Sequence, residues 1–143
     1  MSNNYEYIVS SCLCGVKSRY DGKVFISEKV KELVDSGKAL MVCPEIMGGL
    51  EVPRLPCEII DNKVINSEGE DKTRNFKEGA DKVLSLAKKY NIKKAILKEK
   101  SPSCGSNYIY DGTFNKNLIK GEGITVKLLR ENGIIVISSE EFI

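Results

Sequence analysis

The sequence contains no histidine. A serine–histidine or cysteine–histidine couple is therefore excluded within this chain, and so is a mixed Cys/His zinc site. Any proton transfer must use Glu, Asp, Lys, Tyr, Ser or water. No apolar run approaches the length of a membrane span. The opening residues, Met1 to Glu6, lack a basic start followed by an apolar stretch, so no secretory signal is expected. Neither sign of charge dominates. A net charge of +2 gives no electrostatic argument for a nucleic-acid or membrane partner. There is no CxxC pair and no internal repeat.

What is present suits a soluble globular chain. Its 143 residues, 41% hydrophobic and 29% charged, are enough for one compact domain, 1–143, with a real core. Five cysteines, an odd number, accompany the missing export signal. The expected location is cytoplasmic, where such cysteines are thiols or metal ligands rather than structural disulfides.

Strand-like and helix-like stretches alternate along the chain. Residues 5–11 read as a first strand that runs into a loop at 12–15. A helix is expected over 27–36, with Ser27 as N-cap and Gly37 as stop. Residues 39–43 form a short apolar run typical of a buried strand, broken at Pro44. Two Ile/Val-rich pieces in 58–66 flank Asp61 and Asn62, which predicts a hairpin. The strongest helix spans 73–90, where Phe76, Ala80, Val83, Leu84 and Ala87 make one apolar stripe. A strand at 94–98 leads into the loop Ser101-Pro102-Ser103-Cys104-Gly105. A helix at 124–132, stopped by Gly133, and a strand at 134–137 complete the chain. Residues 105–123, rich in Gly, Asn and Tyr, suggest ordered loops. This alternation predicts an α/β fold, a single-domain, Rossmann-like, mostly parallel sheet with helices on both faces.

Three cysteines lie at or beyond the C-terminal ends of predicted strands. Cys12 follows the first, Cys43 ends the second, and Cys104 lies in the loop after the strand at 94–98. In a doubly wound sheet these ends gather along one edge, where ligands bind. Nearby Gly15, Pro44, Pro102 and Gly105 supply turn chemistry that lets backbone approach a bound group. Two readings stand on the residues alone: a metal or cluster site, or a few inert buried thiols. Cys14 reads as a packing residue beside the site and Cys57 as a core or surface thiol.

Several polar residues near these cysteines admit two readings as well. Glu45, two residues after Cys43, is a general acid or base, or a solvated loop carboxylate. Ser101, three residues before Cys104, orients a substrate, relays a proton or attacks carbon; equally, it is a turn serine before Pro102. Arg19, Tyr20 and Asp21 offer a pocket wall or a buried ion pair, with the structural role preferred. Residues 108–114 provide aromatic surface for a planar ring, or a packed loop. The lysines of 93–100 read as a solvated surface, with Lys98 and Lys100 alternating about Glu99 as at a strand end.

The ordered motifs resemble a known family. Ser11-Cys12-Leu13, Gly15 and Arg19-Tyr20-Asp21-Gly22 match its opening. Val42-Cys43-Pro44-Glu45, Gly48-Gly49-Leu50 and Pro53-Arg54 match its second block. Glu68-Gly69, Phe76 and Gly79-Ala80 match its middle, and Lys98 to Gly105 with Tyr110 to Phe114 match its third block. The chain resembles the domain of unknown function 523 family, which includes thiouracil desulfidases, over nearly its whole length. The resemblance implies a [4Fe–4S] cluster held by Cys12, Cys43 and Cys104, with a fourth iron open to a substrate sulfur. It marks Glu45 and Ser101 as catalytic and Ser103 as structural. Many relatives have cysteine where this chain has Ser18, and the three inferred ligands do not depend on it.

The function so implied is non-redox desulfuration of a small thiolated nucleobase or nucleoside, such as 2-thiouracil or 4-thiouracil, with sulfide as product. Two rivals remain. An iron–sulfur carrier or redox-sensing domain needs the same cysteines but not Glu45 or Ser101. A thiol hydrolase with Cys104 as nucleophile, and Glu45 or Lys98 as base, needs no metal.

Overall fold

The computed structural model describes residues 4–17, 20–22 and 26–142. Its strands are β1 (Tyr7–Ser10), β2 (Ala39–Val42), β3 (Cys57–Ile60), β4 (Lys63–Asn66), β5 (Lys94–Leu97), β6 (Tyr108–Tyr110), β7 (Leu118–Lys120) and β8 (Ile135–Ser138). Its helices are α1 (Glu28–Asp35), α2 (Pro44–Met47), α3 (Thr73–Lys89) and α4 (Ile124–Glu131). A 3-10 turn, Ser11–Leu13, follows β1.

Four strands build one parallel sheet in the order β2-β1-β5-β8. Tyr7 pairs with both Ala39 and Lys94, and Lys94 pairs with Ile135. Parallel strands that are covered on both faces become continuously apolar; Ile8 and Val9, and Ala95, Ile96 and Leu97, are all buried. Successive side chains point to opposite faces, and the core divides accordingly. Val9 and Ile96 pack with Val30, Leu33 and Val34 of α1. Ile8, Ala95 and Leu97 pack with Val83 and Ala87 of α3 and Val126 and Leu129 of α4. Helices thus cover both faces, as the alternation of elements predicts. Among the described residues no helix is long and apolar enough to cross a membrane.

The expected stripe of α3 forms the longest of these contacts. Phe76, Ala80, Val83 and Ala87 are buried, and Leu84 packs against the cluster that holds Val83 and Ala87. Burial of one large apolar side chain contributes about 1.5–3 kcal/mol. Lys88 and Lys89 close the helix, where positive charge favours the C-terminal dipole. Ser27 precedes α1 but makes no side-chain capping bond.

The hairpin at 58–66 forms as β3 and β4, with Asp61 and Asn62 at positive φ of 48° and 65°, the geometry of a two-residue turn. Residues 105–123 differ from expectation. They include a second antiparallel hairpin, β6 paired with β7. Three-residue strands are too short to show period-2 alternation. Gly112, Phe114 and Lys116, all at positive φ, fill the connection with turn signals. Burial of Ile109, opposite Ile119, anchors the pair.

Pro44 does more than end β2: it occupies the first turn of α2, with Cys43 as N-cap, the helical position where a missing N–H costs nothing. α2 lies against α3 at a point where both backbones are bare. A Cβ on Gly48 would run into the Asn75 carbonyl, and one on Gly79 into the Pro44 carbonyl. Asn75 Nδ2 donates to the Gly48 carbonyl (2.8 Å) and Lys82 Nζ to the Met47 carbonyl (2.9 Å). This contact fixes the short helix that carries Glu45.

Candidate active site

Neighbouring parallel strands bring their following loops to one edge of the sheet. Cys12 lies in the 3-10 turn after β1, Cys43 caps α2 after β2, and Cys104 lies in the loop after β5. All three line one cavity of about 400 Å³. Cys104 is buried, while Cys12 and Cys43 are half-buried. Cys14 does not line that cavity. It forms a backbone bridge with Ile26 and packs against the α1 face of the core, in line with a packing role. Cys57 does line the cavity, a placement its position at the start of β3 did not suggest.

Glu45 and Ser101 face the same cavity and meet each other. Glu45 Oε1 accepts from Arg54 Nε (3.2 Å) and Nη2 (3.1 Å). Glu45 Oε2 accepts from Ser101 Oγ (3.1 Å) and Ser103 Oγ (2.8 Å). The two serine hydroxyls are 2.8 Å apart. Ser101 Oγ also accepts the backbone N–H groups of Ser103 (3.1 Å) and Cys104 (3.2 Å). Ser101 is therefore a turn serine and a cavity group at once. Ser103 Oγ reaches the Cys104 sulfur at 3.6 Å.

Burial drives the Cys104 thiol far up; hydrogen bonds from Ser10 and Ser103 oppose this, and proximity to Cys43 and Cys12 adds to it. Burial also raises the Cys43 thiol, against the backbone N–H groups of Ile46 and Glu45, which favour its thiolate. Burial, then Glu45, holds Cys57 at about 11 against the pull of Arg54 and Lys72. Three thiols gathered in such a place become thiolates when a cation is supplied. Among the described residues no group of three Cys, Asp or Glu converges on a point where one metal ion could sit. Cysteine thiolates are the donor type that iron–sulfur clusters take.

Two buried carboxylates build the cavity wall. Glu99 Oε1 accepts the N–H groups of Lys100 (3.2 Å), Ser106 (2.9 Å), Asn107 (3.1 Å) and Tyr108 (3.1 Å). Glu99 Oε2 accepts from Ser106 Oγ at 2.9 Å. Burial alone would raise the Glu99 carboxyl, but bonds from Ser138, Asn107, Tyr108 and Ser106 hold it at about 2. Glu58 accepts the N–H groups of Gly112 (3.0 Å) and Phe114 (3.1 Å). Tyr110 and Phe114 of the aromatic segment line the cavity, as does Tyr20. Arg19 and Ser18 lie outside the described residues. Lys98 and Lys100 line the cavity, β5 having ended at Leu97; Lys100 is at the same time solvated, with 42% of its side chain exposed and its Nζ 3.6 Å from Glu140.

Sequence reasoning missed Arg54, Glu99, Glu58 and Cys57 as parts of this site. Arg54 arrives from a connection without a strand-end position, and no spacing rule links it to Glu45. Glu99 had one available signal: an acidic residue directly before a loop of small polar residues, whose unpaired N–H groups need an acceptor.

A parallel sheet whose strand-end loops gather three thiols, a carboxylate and a serine hydroxyl places the chain among α/β proteins with a thiol-lined site at the sheet edge. The family model of 2-thiouracil desulfurase matches residues 7–141, and the chain belongs to that family. It is 47% identical over 144 residues to the Bacillus subtilis (strain 168) uncharacterized protein YbbK, covering 94% of this chain and 95% of the relative. It is also similar to the solved structure of the [4Fe–4S]-dependent thiouracil desulfidase TudS, with a TM-score of 0.91 and 43% identity over 95% of this chain and 91% of that one.

Proposed function

We propose that this chain removes sulfur from thiouracil, or from a nucleoside carrying such a base, with a [4Fe–4S] cluster held by Cys12, Cys43 and Cys104. The observation that carries the reading is the contact of Ser101 Oγ with Glu45 Oε2, 3.1 Å apart, on the wall of the cavity lined by those three thiols. When bound, the cluster would supply Lewis-acid chemistry towards a thiocarbonyl sulfur. A cavity of about 400 Å³ falls in the range of small-molecule sites. Tyr20, Tyr110 and Phe114 offer faces to a planar ring.

The remaining work falls to the chain's own residues. Water, or Ser101 Oγ followed by water, adds to the ring carbon bearing sulfur. Glu45 Oε2 receives the proton of the attacking hydroxyl and returns it as the sulfur departs. The balance is thiocarbonyl plus water giving carbonyl plus sulfide, with no net electron transferred. Burial disfavours Cys104 as a nucleophile, because a thiol pushed so far up holds little thiolate; this weighs against a metal-free thiol hydrolase.

Anaerobic reconstitution with iron and sulfide, followed by assay on thiouracil, tests the proposal. Equal amounts of uracil and sulfide should form without added reductant or oxidant. Full turnover by colourless, iron-free protein would overturn it. A brown protein inactive on every thiolated base and nucleoside would point to the cluster-carrier alternative.

A further inference from the structure

We propose that Arg54 is a positioning residue for Glu45, occupying Oε1 so that Oε2 alone exchanges the proton with the serine hydroxyls. The inference rests on the acid–base role proposed above for Glu45.

The usual arginine–carboxylate fork places one N–H on each oxygen. Here both Nε and Nη2 point to Oε1, at 3.2 and 3.1 Å. Oε2 is left to Ser103 Oγ at 2.8 Å and Ser101 Oγ at 3.1 Å. The carboxylate is thus divided: one oxygen is bound to a permanent cation, and the other faces groups that can give and take a proton. The pair is largely enclosed, with 9% of the Arg54 side chain and 14% of the Glu45 side chain exposed, so water does not readily substitute for the guanidinium.

Arg54 is itself held. Its Nη1 donates to the Glu51 carbonyl at 3.0 Å, and its backbone N–H donates to the Tyr20 carbonyl at 2.7 Å. α2, pinned on α3, supplies Glu45, and the anchored loop supplies Arg54. A carboxylate gripped from two sides cannot rotate to exchange its oxygens. Catalytic groups lose about a hundredfold in rate when misplaced by about an ångström.

The test uses anaerobically reconstituted wild type, Arg54→Ala, Arg54→Lys, Glu45→Gln and the Arg54→Ala/Glu45→Gln double variant. Iron per chain, circular dichroism, kcat and KM for thiouracil are measured. Arg54→Ala should keep its iron and its KM while kcat falls about a hundredfold, and millimolar guanidinium should restore part of that loss. In the Glu45→Gln background, Arg54→Ala should cost no further rate, because a residue acting through Glu45 has nothing left to position. In the metal-free protein, the Glu45 carboxyl carbon resonance should shift in Arg54→Ala while that of Glu99 stays in place. A normally loaded Arg54→Ala with wild-type kcat, or an equal loss in both backgrounds, overturns the proposal. If Arg54→Ala does not fold, Arg54→Lys decides: it keeps the charge but cannot place two N–H groups in that plane. It should lose at least about tenfold in kcat, and full kcat overturns the proposal. Wild-type turnover in Glu45→Gln would remove the acid–base reading and this inference together, whereas an inactive Glu45→Gln beside an active Arg54→Ala removes the inference alone.

Discussion

Ser103 Oγ approaches Glu45 Oε2 more closely than Ser101 Oγ does, at 2.8 Å against 3.1 Å. Ser103 is fully buried and also reaches the Cys104 sulfur. With one hydroxyl proton it satisfies one of these acceptors at a time, and the shorter contact favours Glu45. Its loss therefore removes a bond to a carboxylate without opening the site. Ser103→Ala should lower the urea midpoint by the equivalent of about 1.5–3 kcal/mol and reduce turnover about tenfold. Ser101→Ala should cost about 10²–10⁴-fold in rate, and because it also orphans the backbone N–H groups of Ser103 and Cys104 its midpoint should fall at least as far. Equal losses of rate in the two variants would dissolve the distinction between a structural and a reacting serine.

Replacing Cys12, Cys43 or Cys104 by alanine should each remove most bound iron, since their three thiolates are the proposed anchor. Cys57→Ala is the demanding control, because Cys57 lines the same cavity. It should reconstitute to normal iron content, as should Cys14→Ala. Iron assays after anaerobic reconstitution decide the matter, and loss of the cluster in Cys57→Ala with retention in Cys12→Ala would reverse the ligand set.

An iron without a protein ligand is open to oxidants. Air should bleach the reconstituted protein and abolish turnover, and anaerobic refilling should restore both. The visible absorbance and the rate should decline together; turnover that survives complete bleaching would place the chemistry elsewhere.

The parallel core was legible because its strands and helices are long enough to carry periodicity. Phe76, Ala80, Val83 and Ala87 repeat at helical spacing, and 39–43 and 94–98 are short apolar runs. From those elements, the edge where Cys12, Cys43 and Cys104 gather follows by topology alone. The β6 and β7 strands were not legible, since three residues carry no period and the connection between them is dense in turn residues. Arg54 was hidden for a different reason. Its role depends on a side chain folding back across the end of α2 and an irregular connection onto Glu45, and no local pattern encodes that geometry.

Glu99 gives the fold an acid-sensitive joint. Against burial, its hydrogen bonds hold the carboxyl at about 2 in the folded chain, below its ordinary 4.5. A depressed carboxyl contributes stability that is present above about 4.5 and lost as pH falls towards about 2. Glu99→Gln keeps the shape but turns one acceptor into a donor aimed at backbone N–H groups. The metal-free variant should be less stable than wild type at neutral pH, by about 2 kcal/mol or more. The gap should narrow as pH falls from 5 to about 2.5. Urea midpoints measured across that range would expose a constant gap, which would contradict the role given to Glu99.

The last prediction concerns a residue with no chemistry. Gly79 lies on α3, where its missing side chain lets the Pro44 carbonyl approach. α2 carries Glu45 one residue after Pro44, so the spacing of the two helices sets the position of the carboxylate. A methyl group at residue 79 meets backbone, which cannot move aside as a flexible side chain would, and α2 must shift. Overpacking of this kind costs about 1–3 kcal/mol, partly offset by the higher helix propensity of alanine, which is worth up to about 1 kcal/mol. The displacement of Glu45 should matter more than the stability change. Gly79→Ala should fold and lose about tenfold to a hundredfold in kcat per bound iron, with a smaller change in KM; iron content is measured alongside because Cys43 caps the same helix. Gly37→Ala serves as a contrast, because nothing lies within 4 Å of its Cβ position and the strain of its positive φ is confined to the end of α1. It should lose stability and keep its kcat. Measured kcat values that fall equally in Gly37→Ala and Gly79→Ala would mean that general destabilisation, and not the displacement of α2, governs the rate.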